Sequence, residues 1–220
     1  MVERVIRSFE EFHQAIMAYK KRIIVYRGVR KSSYKLLPKI GRLKFINNDS
    51  EKQEKIMFEY FRKRSLPFIE TPCETLWDWL ALAQHHGLPT RLLDWTFNPL
   101  VAAFFAVEKE FDGDSAIYAL QIGNSLNLAK NPDPFKVNKI SWFSPRYITQ
   151  RTMVQSGIFT IYPNPVLPME NKEIDKYIIL NNVRREFKFI CYRYGIHIAS
   201  LFPGLDGLSE HIEWLRTVKY

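Results

Sequence analysis

Gln84 to Ala106, QHHGLPTRLLDWTFNPLVAAFFA, concentrates the side chains of this chain that can do chemistry. His85, His86 and Asp94 are residue types that move protons. Arg91 offers a planar fork of donors suited to phosphate or carboxylate, and Thr96 and Asp94 suit the hydroxyls of a sugar. Arg27, in the run Tyr26-Arg27-Gly28, and Gln155-Ser156 are polar outposts elsewhere in the chain. For Arg27 two roles stand side by side: a salt bridge on a strand edge, or a fork-like donor to a phosphate or ribose. Arg91 and Asp94 are three apart, a spacing that suits an ion pair pinning a turn; alternatively, Asp94 orients Arg91, His86 or Trp95 toward a cleft. Adjacent histidines point about 100° apart on a helix, so His85 and His86 do not form a metal-binding pair and no metal site is expected. The sequence has no Walker A loop, GxGxxG, HExxH or GxSxG motif and no zinc-type Cys/His cluster. That removes the strongest nucleotide, metalloprotease and esterase signatures.

These residues must be placed by the elements around them. Phe9, Phe12, Ile16 and Tyr19 recur at helical spacing behind Ser8, with Glu11 three residues on, which predicts a capped helix over 9–20. IIVYRG reads as a buried strand that leaves Arg27 near its end. Residues 29–47 read as loop and 50–64 as a charged helix beginning at Asp49 or Ser50. A third helix runs from Thr75 to His85 and is ended by Gly87 and Pro89. Thr90 to Trp95 is extended, and Pro99 opens an apolar core helix. Further on, SAIYALQI, ISWF, GIFTIYPNP and IHIASLF read as strands, while 182–194 and 205–215 return to helical spacing. Helices early and strands late, without regular βαβ alternation, predict an α+β fold.

The chain has 220 residues, 46% of them hydrophobic, which suits one domain over residues 1–220. No apolar run reaches the length of a membrane span, and the opening residues do not resemble a signal peptide, so a cytoplasmic protein without a membrane partner is expected. Cys73 and Cys191 have no metal or disulfide spacing and read as buried thiols. The net charge is +9, but residues 1–64 hold 17 Lys/Arg against 7 Asp/Glu, so the excess lies in the first third. A basic segment fits a polyanion, whether nucleic acid or a phosphate-bearing small ligand, and it equally fits a solvated surface.

Tyr26-Arg27-Gly28, the block Gln84 to Ala106, Gln155-Ser156-Gly157-Ile158-Phe159-Thr160 and Leu201-Phe202-Pro203-Gly204-Leu205-Asp206-Gly207-Leu208 together resemble the FRG domain family in order and spacing, from about Val25 to Leu215. Tyr26 stands where the family often has phenylalanine. The resemblance implies a bacterial or phage setting, in some members tied to defence or toxins. A second resemblance, to ADP-ribosyltransferases, rests on the strand-end Arg27, on Thr96 followed by the helix carrying Ala102 to Ala106, and on Gln155-Ser156-Gly157 where those enzymes carry a catalytic glutamate. It implies helices on a small, mostly antiparallel sheet that can be split, with NAD as a candidate substrate and no required cofactor. Glutamine can hydrogen-bond but brings no negative charge, so Gln155 either leaves a binding module or relies on Asp94 or Glu186 for that charge.

The leading expectation is therefore an ADP-ribosyltransferase-like domain whose cleft takes a phosphate-bearing nucleotide. Its catalytic candidates are Arg27, His86, Asp94 and Gln155, and its binding candidates are Arg27, Gly28, Arg91, Thr96 and Ser156. One alternative is a nucleic-acid- or protein-binding module that uses Arg62, Lys63, Arg64 and their basic neighbours. Another is a nuclease or hydrolase in which the His85/His86 block works with Asp94.

Overall fold

Ser8 accepts a hydrogen bond from the Glu11 N–H and so starts α1 (Phe9–Met17), the first of eight α-helices in the computed structural model, which describes residues 2–20, 22–45, 49–146 and 150–217. Asp49 caps α2 (Ser50–Ser65) by accepting from Lys52. Thr75 and Asp78 form a reciprocal capping box for α3 (Leu76–His85). Asn98 caps α4 (Pro99–Val107), whose first residue is the proline that needs no N–H partner there. The later helices are α5 (Gln150–Val154), α6 (Arg184–Arg193), α7 (Ile198–Leu201) and α8 (Leu205–Arg216).

The strands are β1 (Val2–Ile6), β2 (Ile24–Val29), β3 (Leu92–Thr96), β4 (Ser115–Gln121), β5 (Ser141–Phe143), β6 (Gly157–Ile161) and β7 (Ile174–Ile179). They form one sheet in the order β1-β7-β4-β2-β3-β6-β5, antiparallel throughout except for the β1/β7 edge pair. The α+β architecture with a mostly antiparallel sheet is as the sequence predicts. One strand reading needs correction, and two strands go unread in the sequence. IHIASLF folds as a lead-in and the short helix α7, because His197 caps it by accepting from the Ser200 N–H. β1 and β7 carry weak strand signals in their own right and are made strands by pairing with each other and with β4.

The sheet is continuous but has a seam. β2 and β3 share one paired position, Tyr26 with Thr96, whereas β2/β4 and β3/β6 pair over six and five positions. On one side of the seam α4, α6 and α1 cover the sheet, packing Ala102, Ala106, Phe187 and Phe12 against Tyr26, Ile117 and Tyr177. On the other side α2 and α3 pack Phe58, Trp77 and Leu80 against Leu92, Phe159 and Ile161. Paired residues share a face of the sheet, so both helical layers lie over the same face and part above the seam. The opposite face is closed by Val25, Trp95, Tyr118 and Tyr162 with Leu36 and Met169 from the loops.

Buried arginines fasten the framework. Arg184 reaches Ser115 Oγ and the carbonyls of Lys109 and Phe111, tying α6 to the α4–β4 connection. Of the two cysteines Cys191 is buried, as expected, while Cys73 is only partly so.

Candidate functional site

Where the two helical layers part, a cleft of ≈ 660 Å³ opens at the seam and is lined from both faces of the sheet, since Arg27 shares the face of Tyr118 and Asp94 that of Phe159. β2 brings Arg27 to it and β3 brings Asp94, while the end of α3 contributes Gln84, His85 and His86; α4 supplies Val101, Ala102 and Phe105, and α5 supplies Arg151. Lys39 and Arg42, on the single 3₁₀ turn Ile40–Arg42 and the residue before it, close the remaining side.

The seam and the chemistry are coupled. Just past the Tyr26/Thr96 pair the ladder stops, and Arg27 Nη1 instead donates to the Asp94 carbonyl at 2.7 Å and approaches its carboxylate Oδ2 at 3.5 Å. The same Oδ2 accepts from Gln84 Nε2 at 2.9 Å, and Gln84 Oε1 accepts from Thr90 Oγ1 at 2.6 Å. Thr90 in turn accepts from the Leu92 N–H. A continuous polar chain therefore fixes the Asp94 carboxylate, which is 55% exposed and turned to the cleft.

The cleft is strongly cationic. Arg27, Lys39, Arg42 and Arg151 line it against the single carboxylate of Asp94. Desolvation, followed by the neighbouring charge of Arg27, pulls the Arg42 guanidinium below its usual value. Burial does the same to Arg151, which stacks on the Phe202 ring at 4.0 Å. Nε of Arg27 and Nε of Arg151 are buried without a hydrogen-bond partner among the described residues. Buried donors of this kind are costly unless something accepts from them. Burial, and after it the charge of Arg151, pushes His85 down to about 4, so its imidazole is neutral at neutral pH; its ring meets that of His86 edge-on at 5.0 Å. A neutral imidazole accepts a proton in this setting rather than supplying one.

Several expected site residues are placed differently. Arg91 does not line the cleft: it is fully buried and clasps Glu54 of α2, with Nε 3.0 Å and Nη2 2.9 Å from Oε2, while its own N–H donates to Oε1 at 2.6 Å. It therefore makes no ion pair with Asp94. Three residues apart are neighbours on a helix but lie on opposite faces of an extended chain, which is why the spacing misled. Thr96 reaches the cleft, but its hydroxyl is committed, donating to the Gln155 carbonyl at 2.7 Å and accepting from the Asn98 N–H at 3.0 Å. Gln155 also lines the cleft, with its amide Nε2 spent on the Leu201 carbonyl at 3.0 Å. Ser156 lies outside the cleft lining, in the left-handed region with φ 47°. Gly28 is there because α4 passes directly over it: a Cβ would stand 1.9 Å from the Ala102 carbonyl oxygen. Glu186 is exposed on the first turn of α6 and does not line the cleft.

Conversely, Gln84, Lys39, Arg42 and Arg151 belong to the cleft although the sequence did not single them out. The charge excess of the first third pointed toward Lys39 and Arg42, and Gln84 opens the signature block. Nothing in the sequence marks Arg151. Among the described residues no group of three or more His, Cys, Asp or Glu is placed to hold a metal.

Residues 22–115, which run from just before β2 through α4 to the start of β4, match the family model described as the FRG domain. Residues 22–115 form an FRG domain. Arg27, the Gln84 to Ala106 block, Lys39 and Arg42 all lie within the matched stretch, so the FRG domain supplies most of the cleft. Gln155, Arg151 and the Leu201 to Leu208 run lie beyond it. No curated protein and no solved structure matches the chain. No described helix of the chain is long and apolar enough to cross a membrane.

Proposed function

We propose that the cleft binds a phosphate-bearing nucleotide, with NAD the leading candidate, and that the domain works as an ADP-ribosyltransferase-like effector. The observation that carries this reading is Arg27: a guanidinium at a sheet seam, anchored through Nη1 on Asp94, with a buried Nε that lacks an acceptor among the described residues. Arg42, Lys39 and Arg151, the last stacked on Phe202, line the same cleft and add the positive charge a diphosphate needs. Phosphate recognition by such forks is a general use of arginine.

In the reaction, the bond between nicotinamide and ribose C1′ breaks and its electron pair leaves on nicotinamide. A nucleophile of the acceptor bonds to C1′ and loses its proton. An oxocarbenium-like centre needs a nearby negative charge, and with the Gln155 amide tied to Leu201, Asp94 is the carboxylate in the cleft to provide it. Neutral His85, with His86 beside it, is the base at hand for the acceptor's proton.

Calorimetric titration with NAD and ADP-ribose tests the binding step. Arg27→Ala is expected to weaken it at least about tenfold, the scale of losing a charge-assisted contact. Unchanged affinity would remove the assignment. Incubating the protein with labelled NAD and cell extract, while following free nicotinamide, tests the transfer step.

A second reading is favoured by the outer face of α2. Lys52, Ile56, Tyr60 and Arg64 recur every four residues and lead to Phe68, which is 84% exposed, with the Arg64 guanidinium 5.6 Å over the Tyr60 ring. Lys63 is exposed beside them, whereas Arg62 is paired with Glu59. Interleaved basic and aromatic side chains suit a single-stranded nucleic acid. Such binding falls steeply with salt, and charge reversal at Lys63 and Arg64 would abolish it; nucleotide binding in the cleft has a shallow salt dependence.

A further inference from the structure

A second pocket, of ≈ 290 Å³, is lined by α4, α6, α7, α8 and their connections and shares no lining residue with the cleft. Its wall is a ladder of rings. His197 and His211 stack at 4.0 Å with planes 9° apart, His211 continues onto Trp214 at 5.9 Å and 19°, and Tyr192 meets Trp214 edge-on at 5.2 Å. Around the rings stand four carboxylates, of Glu108, Glu110, Glu210 and Glu213, against the ammoniums of Lys109 and Lys188.

Two observations say what this arrangement accepts. The first is that an ammonium already uses it: Lys188 Nζ sits 5.6 Å over the Trp214 ring while donating to the Glu108 carbonyl at 2.7 Å. The second is His211. This residue lines the pocket, is only 9% exposed, and has a buried Nδ1 without a hydrogen-bond partner among the described residues. His197 differs, since its Nδ1 accepts from the Ser200 N–H. Burial holds both imidazoles below their usual pKa, so His211 brings a lone pair and not a charge.

Electron-rich ring faces, the carboxylates of Glu108 and Glu210 and the unpartnered ring nitrogen of His211 all favour the same chemical class. We propose that this pocket is a binding site for a small organic ammonium, an alkyl amine whose chain lies along the Trp214–His211 ladder and whose charged end meets Glu210 and Glu108. The site is separate from the nucleotide cleft and does not depend on it.

Calorimetric titration of the full chain with pentan-1-amine, with pentan-1-ol as the uncharged control, tests this. Saturable one-to-one binding of the amine and none of the alcohol is expected. His211→Phe should weaken it about tenfold, the size of losing one desolvated contact to a cation, and Glu210→Gln about threefold, the size of an exposed ion pair, while Arg27→Ala should leave it unchanged. Glu210 is exposed, so its substitution spares the fold and keeps the test decisive even if the His211 variant is unstable. Absence of saturable binding, equal binding of pentan-1-ol, or affinity indifferent to Glu210→Gln would overturn the proposal.

Discussion

The Asp94 carboxylate is held from two directions through one oxygen: Gln84 Nε2 donates to Oδ2 at 2.9 Å and Arg27 Nη1 approaches it at 3.5 Å. One residue of the pair that holds it comes from α3 and the other from β2, so the charge is positioned by elements on both sides of the cleft. That geometry separates two roles that a substitution can distinguish.

Asp94→Asn keeps a side chain of the same shape, and its amide oxygen still accepts from Gln84. The negative charge is lost from a cleft that then holds only cations. NAD affinity should be retained or strengthened, while release of nicotinamide should fall by about 10²-fold or more, as for loss of one preorganised electrostatic contact. Parallel calorimetry and nicotinamide release measure the two quantities, and a loss of both together would place Asp94 in binding.

Glu54 and Arg91 are each 1% exposed and bonded through three short contacts. Removing either partner strands the other charge in the core. Glu54→Ala and Arg91→Ala should each destabilise the protein by about 3–5 kcal/mol in denaturant unfolding. Because Arg91 faces away from the cleft, folded Arg91→Lys protein at low temperature should still bind NAD.

Gly28→Ala sets a methyl group against the Ala102 carbonyl at 1.9 Å, where the backbones of β2 and α4 themselves meet. Neither side can yield as a flexible side chain does. The expected cost is at or beyond the upper end of overpacking, about 3 kcal/mol, seen as a lower Tm or loss of soluble protein. A Gly28→Ala variant as stable as the parent would mean that α4 can lift from the sheet.

His85 is held down at about 4 by burial, with an ordinary value of 6.5 when the chain is unfolded. Between those values the unfolded chain binds the proton that the folded chain refuses, so stability is full above pH 6.5 and declines as pH falls toward 4. His85→Asn should flatten that part of the stability-versus-pH curve. The Cε1–H resonance of His85 should titrate near 4 in NMR.

Thr96→Val removes the hydroxyl that serves both the Gln155 carbonyl and the Asn98 N–H. Two polar groups at the start of α4 and of β6 then lose a partner, with an expected destabilisation of about 1–3 kcal/mol by thermal unfolding. If Thr96 instead acts on a ribose, NAD affinity falls while Tm holds.

The sequence is most legible where local rules decide. Ser8 and Asp49 announce their helices because each supplies an acceptor that the first turn lacks, and Pro99 announces α4 because it needs no N–H partner there. The polar block is recognisable as a candidate site because residues such as His85, His86 and Asp94 exceed what a turn requires. What stays hidden is long-range. Arg91 and Glu54 are 37 residues apart, and neither identity reveals that they meet. Arg151 sits on a five-residue helix with no motif, and only the Phe202 ring brings it to the cleft. β1 and β7 become strands through partners, and the IHIASLF run loses its apparent alternation to the cap supplied by His197.

The lone Tyr26/Thr96 pairing has a mechanical meaning. A sheet joined at one rung is stiff within each leaf and compliant between them, so the leaves can tilt about that rung at little cost in ladder bonds. Arg27 spans the gap as a strut. A diphosphate gripped by Arg27 from one leaf, while Asp94 steadies its sugar from the other, would lock the angle between the leaves, and amide exchange at Gly28 and Leu93 would slow as the ligand saturates.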